Sequence, residues 1–90
     1  MDEKMAGMIL NDKIKKLQER LADRKIKLEI SPEAYGMLLK EGFSPEYGAR
    51  EIERVLNARL TPLLMREILF GRKENFTALI QIVDNDFSIG

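Results

Sequence analysis

The feature that most constrains this chain is a change of hydrophobic period. Leu10, Ile14, Leu17 and Leu21 recur at helical spacing among Lys, Gln, Glu and Arg; then Ile26, Leu28 and Ile30 alternate with Lys25, Lys27 and Glu29. A stripe of period 3.6 belongs to a helix, and an alternation of period two belongs to a strand with one buried face. The chain must therefore switch from helix to strand near Lys25. The spacing predicts a helix from about Glu3 to Arg24 and a half-buried strand ending at Ile30. The first residues, Met1 to Met8, are open to three readings: the first turns of that helix, a frayed end, or a non-native leader.

The period then switches back. Ser31-Pro32-Glu33 offers a capping hydroxyl followed by a proline at the first helical position. A short helix is expected to about Glu41, with Ala34, Tyr35, Leu38 and Leu39 on its apolar side and Gly42 as a left-handed cap. A longer helix follows, carrying Ile52, Val55, Leu56, Leu60, Leu63, Leu64 and Ile68 as a broad stripe and closed by Gly71 after Phe70. Pro62 sits inside it and predicts either a kink or a restart with Thr61 as cap, since an interior proline costs roughly 3 kcal/mol in a straight helix. Residues 72–75 make a polar turn. Phe76, Ala78, Ile80 and Ile82 alternate with Thr77, Leu79, Gln81 and Val83 as a strand whose second face is also partly covered. Asp84-Asn85-Asp86 is turn chemistry, and Phe87 and Ile89 begin a short return strand. The fold class is α+β: three main helices on a small sheet of about three strands, in the order helix, strand, helix, helix, strand, strand.

Composition narrows the function classes. Ninety residues make one domain, and 44% apolar content supports a single core. Fifteen basic residues balance fifteen acidic ones, which argues against nucleic acid as a partner. Without histidine or cysteine, the usual general base, the triad nucleophile systems, disulfides and thiolate or imidazole zinc sites are all missing. No apolar run reaches the roughly 18 residues of a membrane span, and no signal-peptide pattern opens the chain, so a cytoplasmic location is expected. No glycine-rich phosphate loop of the P-loop type occurs. Asp84 and Asp86 lack the further spaced oxygens and terminal Glu of a calcium loop and read as a solvated hairpin. Met5, Met8, Met37 and Met65 read as core or edge filler. Arg20, Arg24, Arg54 and Arg66 read as helix-face charges, with Glu51 and Arg54 placed to pair.

One stretch is more elaborate than a connector requires. Gly42-Phe43-Ser44-Pro45-Glu46-Tyr47-Gly48-Ala49-Arg50 joins the two helices and delivers Arg50 onto the first turn of the second. Gly48 allows close backbone approach, and Ala49 adds no bulk. A helix N-terminus favours anions, so a cation there suits the helix poorly unless a phosphate sits between them. Taken from the residues alone, the simpler reading remains an exposed arginine.

That stretch resembles the "G-Y-D-P-x-Y-G-A-R" signature of Clp-type AAA+ unfoldases and chaperones (ClpA, ClpC and ClpB), found in the small C-terminal subdomain of their last ATPase module. The resemblance continues through Ile52-Glu53-Arg54-Val55-Leu56 and Leu60-Thr61-Pro62-Leu63. Upstream it includes Leu17-Gln18-Glu19-Arg20-Leu21-Ala22-Asp23-Arg24 with Ile26-Lys27-Leu28-Glu29-Ile30, and it covers about Ile9 to Val83. Ile68-Leu69-Phe70-Gly71 looks most like the peptidase-partnered branch. The resemblance implies that residues 1–90 are a single lid subdomain excised from a larger ATPase, with no enzyme activity of its own. It implies that Arg50 is the sensor 2 arginine reaching ATP or ADP, that Gly48 and Ala49 line its approach, and that the remaining nucleotide contacts lie in a large subdomain. Implied partners are that large subdomain, the neighbouring subunit of a hexamer and, through the parent, a Clp-type peptidase ring. Glu51 stands where the family often has proline, Phe43 replaces tyrosine, and Ser44 replaces the aspartate of the turn. A stand-alone adaptor domain is the alternative.

Overall fold

The computed structural model describes residues 3–44 and 46–90, and for Glu3 the backbone alone; Met1 and Asp2 of the ambiguous start, and Pro45 of the connector, lie outside the described residues. Six elements follow in the expected order: α1 (Glu3–Ala22), β1 (Ile26–Ile30), α2 (Pro32–Gly42), α3 (Ile52–Phe70), β2 (Phe76–Val83) and β3 (Asp86–Ile89). The α+β class holds, with three helices and a three-stranded mixed sheet ordered β1-β2-β3. β1 lies parallel to β2, Leu28 opposite Ala78, so α2 and α3 together form the crossover between them. β2 and β3 are an antiparallel hairpin with Val83 opposite Asp86. Its two turn residues, Asp84 and Asn85, both take positive φ (53° and 64°), as a tight primed turn demands.

The helices bury their stripes against one face of the sheet. Ala6, Leu10, Ile14 and Leu21 come from α1, Ala34 and Leu38 from α2, and Ile52, Val55, Leu56, Leu60 and Leu64 from α3; Ile26, Leu28, Ala78, Ile80 and Phe87 come from the strands. No polar or charged residue is buried among the described residues. Burial of a leucine- or isoleucine-sized side chain stabilises by about 1.5–3 kcal/mol, and Leu10, Leu38, Ile52, Leu60 and Ile80 are the largest fully buried ones. Two polar ties fix helices onto their neighbours: Tyr35 Oη donates to the Gly7 carbonyl (3.2 Å), and Gln18 Nε2 donates to the Leu28 carbonyl (2.9 Å). Met37 packs against the core as filler, whereas Met5, Met8 and Met65 are exposed and are not among the residues packed against it.

Several boundaries differ from the expectation, each for a local reason. α1 stops at Ala22, not Arg24, because Lys25 enters the left-handed region (φ 58°) after turn bonds from Arg24 N to Leu21 O and Lys25 N to Ala22 O. Ser31 caps α2 as expected, its Oγ accepting from Ala34 N at 3.1 Å with Pro32 in the first turn. Gly42 is not a left-handed cap. It is the last, buried residue of α2, and the cap is Phe43 in extended conformation. Its smallness serves packing instead: a Cβ on Gly42 would stand 2.8 Å from Ile52 Cγ1 and 2.9 Å from Ile52 Cα. α3 passes through Pro62 as one helix with no restart at Thr61. Pro62 is exposed, and so is Ala58, whose carbonyl loses its partner and can be hydrated; Leu60 and Leu64 meanwhile pin both sides of the proline in the core.

Candidate functional site

The Gly42–Arg50 stretch is a small closed loop held between two packed helices. Phe43 N–H donates to Leu39 O (3.0 Å), finishing α2. Ser44 and Gly48 then form an isolated antiparallel bridge, Ser44 N donating to Gly48 O (2.9 Å) and Gly48 N to Ser44 O (2.7 Å). Inside it, Ser44 Oγ accepts from Tyr47 N at 2.9 Å. Serine thus does the turn-closing work that an aspartate would do, through a hydroxyl in place of a carboxylate. Gly48 sits at φ 65°, where a side chain would cost about 1 kcal/mol or more, so this glycine is needed by the turn itself.

The three residues singled out as a nucleotide-facing group occupy different environments. Ala49 is buried, only 7% exposed, and belongs to the core. Gly48 is half-buried in the bridge. Arg50 is exposed, and its guanidinium has no hydrogen bond or ion pair with any described residue. Contrary to the expectation, it does not sit in the first turn of α3: the helix begins at Ile52, Glu51 is the cap residue, and Arg50 precedes it in the turn. Backbone bonds from Arg50 N to Tyr47 O (3.4 Å) and Ile52 N to Ala49 O (3.1 Å) hold that turn, and Ala49 and Ile52 anchor it in the core on either side. The arginine is therefore carried on a positioned backbone while its side chain remains free.

The start of α3 carries no side-chain cap. Glu51, the acid adjacent to Arg50, pairs instead with Arg54 Nε one turn on, as the helical spacing predicts. Glu53 pairs with Lys13 of α1 at 3.4 Å. Both acids that would compete for Arg50 at this helix end thus have other cations. The Ile52 N–H is already used by the Ala49 carbonyl, so an oxyanion here would be met by the free guanidinium two residues ahead of Ile52, with the positive end of the helix behind it. Surface grooves occur elsewhere, along α1 and β1 and between α1 and α3.

Two arginines that the sequence did not single out are engaged in structure. Arg59 donates to Glu41 Oε1 from Nη2 (2.5 Å) and Nε (3.1 Å), and its guanidinium lies 5.7 Å from the Phe87 ring centroid. The hydrogen bond to Glu41 and that carboxylate's charge raise the Arg59 pKa, partly opposed by desolvation and helped by Asp86. A raised cation pKa gives stability that is present below the ordinary arginine range and lost only above it, so the pair contributes evenly across neutral pH. Arg72 bonds Glu67 Oε1 (2.7 Å) and the Gly90 carbonyl (2.7 Å) and lies 4.5 Å above Phe76. Glu41 stands 18 residues from Arg59 in sequence, so no periodicity could announce the pair. By contrast Arg20 and Arg66 are exposed helix-face charges, as expected, while Arg24 is exposed in the turn after α1 and not on a helix face.

Comparison with known proteins fits this architecture. The family model described as the C-terminal, D2-small domain of ClpB protein matches residues 1–84. Chaperone protein ClpB of Streptomyces albus G is 36% identical across the whole chain, which spans 11% of that protein. Chaperone protein ClpB 1 of Synechococcus elongatus is 37% identical over 87% of the chain and 9% of its own length. A chloroplastic relative, chaperone protein ClpB2 of Oryza sativa, is 38% identical over 79% of the chain and 7% of its own length, so membership alone does not fix the compartment. No helix among the described residues is long and apolar enough to cross a membrane. The peptidase-partnered branch suggested by Ile68–Gly71 gains no support from these matches, which are to ClpB proteins. The chain belongs to the C-terminal D2-small domain family of ClpB proteins.

Proposed function

We propose that this chain is the lid subdomain of a ClpB-type AAA+ chaperone, a piece of a longer ATPase, and that Arg50 is its contact with nucleotide phosphate. The observation that carries the reading is the state of Arg50: an unpartnered guanidinium on a turn anchored by buried Ala49 and Ile52, ahead of a helix start with no side-chain cap. The family supports ATP use by a parent protein, since the relatives are ClpB chaperones of which this chain is a small part. Catalysis itself belongs to a large subdomain. Here Arg50 binds the phosphates, Gly48 shapes the turn that presents it, and Ala49 holds that turn on the core. A charge-assisted hydrogen bond of this kind is worth roughly 1.5–3 kcal/mol, enough to bias the tilt of a rigid lid by tenfold or more. Packing against the large subdomain and against a neighbouring subunit of a hexamer completes the proposal, with the tilt transmitted as mechanical work.

The test uses the 90-residue chain and a longer parent in parallel. The chain alone should show no saturable ATP turnover, because one arginine and a helix end do not activate water. In the parent, Arg50→Ala should lower the ATPase rate while the isolated domain keeps its fold. Clear turnover by the chain, or a parent indifferent to Arg50→Ala, would contradict the reading.

A further inference from the structure

β1 is an edge strand, paired with β2 on one side only. Ser31 N–H donates to Ile80 O at 2.9 Å, which sets the alternation: Lys27, Glu29 and Ser31 turn their backbone groups toward β2. Ile26, Leu28 and Ile30 therefore turn theirs to the open side. One of those groups is occupied: the Leu28 carbonyl accepts from Gln18 Nε2 of α1 at 2.9 Å. Gln18 and Ala22 form one wall of an open groove along this edge, with Lys25, Ile26, Lys27 and Leu28 as the other, about 380 Å³ in volume. Unpaired edge groups beside an open groove form a template for another strand, and a side chain placed over one of them is a way of restraining that pairing.

The sequence of the edge specifies the occupant. Lys27 and Glu29 flank Leu28 symmetrically, with their side chains exposed (74% and 49%) and paired only with each other at 3.5 Å. An antiparallel copy of β1 centred on Leu28 puts Lys27 of one chain opposite Glu29 of the other, twice by symmetry, and Ile26 opposite Ile30. Leu28 would face its own copy in a hydrogen-bonded pair, so Lys27 and Glu29 fall in the non-hydrogen-bonded pairs, where side chains come closest. We propose that the open edge of β1 is a self-complementary pairing surface for a second copy of this chain, restrained by Gln18. It joins two three-stranded sheets into one across a two-fold axis. A five-residue edge buries little area, so the association is weak and concentration-dependent. This inference does not depend on the nucleotide reading of Arg50.

Sedimentation equilibrium on the 90-residue chain, with circular dichroism to confirm folding, tests it. Gln18→Ala should tighten self-association roughly tenfold, since the Leu28 carbonyl of both copies is freed. Lys27→Glu should weaken it roughly tenfold by setting Glu opposite Glu at two places, and Lys27→Glu/Glu29→Lys should restore it. The chain has no native cysteine, so a mixture of Lys27→Cys and Glu29→Cys chains should cross-link between unlike chains under mild oxidation. The proposal is overturned by a chain that stays monomeric both as the native sequence and as Gln18→Ala, by association indifferent to Lys27→Glu, by a charge swap that fails to restore pairing, or by cross-links confined to like chains.

Discussion

The two ends of α3 are finished in opposite ways. At its C-terminus Gly71 N–H closes on Glu67 O (3.1 Å), Lys73 N–H joins the same carbonyl (2.8 Å), and Arg72 links Glu67, the Gly90 carbonyl and the Phe76 ring. The Glu67 carbonyl, the Glu67 carboxylate and the Arg72 guanidinium there all have partners within the domain. At its N-terminus the helix lacks a side-chain cap, nearby acids are paired with Arg54 and Lys13, and Arg50 stands free. One helix thus has a satisfied end that fixes it to the sheet and an open end on an equally fixed backbone. An exposed arginine is ordinary on a surface; Arg20, Arg24 and Arg66 are examples. What distinguishes Arg50 is that its side chain leaves a turn anchored in the core by Ala49 and Ile52, just ahead of a helix start with no side-chain cap.

Substitutions can break this contrast in order of effect. Gly42→Ala should be the most damaging, because the new methyl would meet the Ile52 backbone and side chain at 2.8–2.9 Å and α2 and α3 would have to part. A loss of roughly 2–3 kcal/mol is expected in urea unfolding, the range for overpacking a core. Gly48→Ala should follow at about 1–2 kcal/mol, from forcing a side chain into φ 65°. Its distinctive sign should be altered amide shifts at Ser44 and Tyr47, whose bonds close the same loop. Arg72→Ala should cost about 1 kcal/mol, as the cation over Phe76 is lost with its partly exposed bridge to Glu67. Thermal unfolding would read that difference against Arg50→Ala, which should fall within about 0.5 kcal/mol of the native chain. If the last two were equally destabilising, the two ends of α3 would not differ as described.

Much of the fold was legible because it rests on local signals. The change of period at Lys25, Ser31-Pro32 before α2 and Asp84-Asn85 between strands each encode geometry within a few residues, and each element was found near its expected place. What was missed depends on the third dimension. Gly42 looked like a cap because caps are glycine's commonest use after a helix, whereas its absence of a Cβ is required by Ile52, ten positions later and packed against it. A restart at Thr61 was one of the two readings of Pro62, because a helix alone would suffer there; the helix runs on instead, with Leu60 and Leu64 held by the core on either side. Ala49 looked like a ligand-side residue, but the turn faces it inward. The candidate site was legible only as far as Arg50. Its freedom from the acids around it depends on Arg54 and Lys13, and of these only Arg54 lies at a spacing that sequence can reveal.

The central claim is that Arg50 is held open for phosphate. An amide chemical-shift titration of the 90-residue chain with ADP tests it most directly. The account predicts weak, millimolar-range shifts confined to Gly48 through Glu53, largely lost in Arg50→Ala while the rest of the spectrum is unchanged. Shifts of equal size in Arg50→Ala, or shifts centred on another face of the domain, would contradict it.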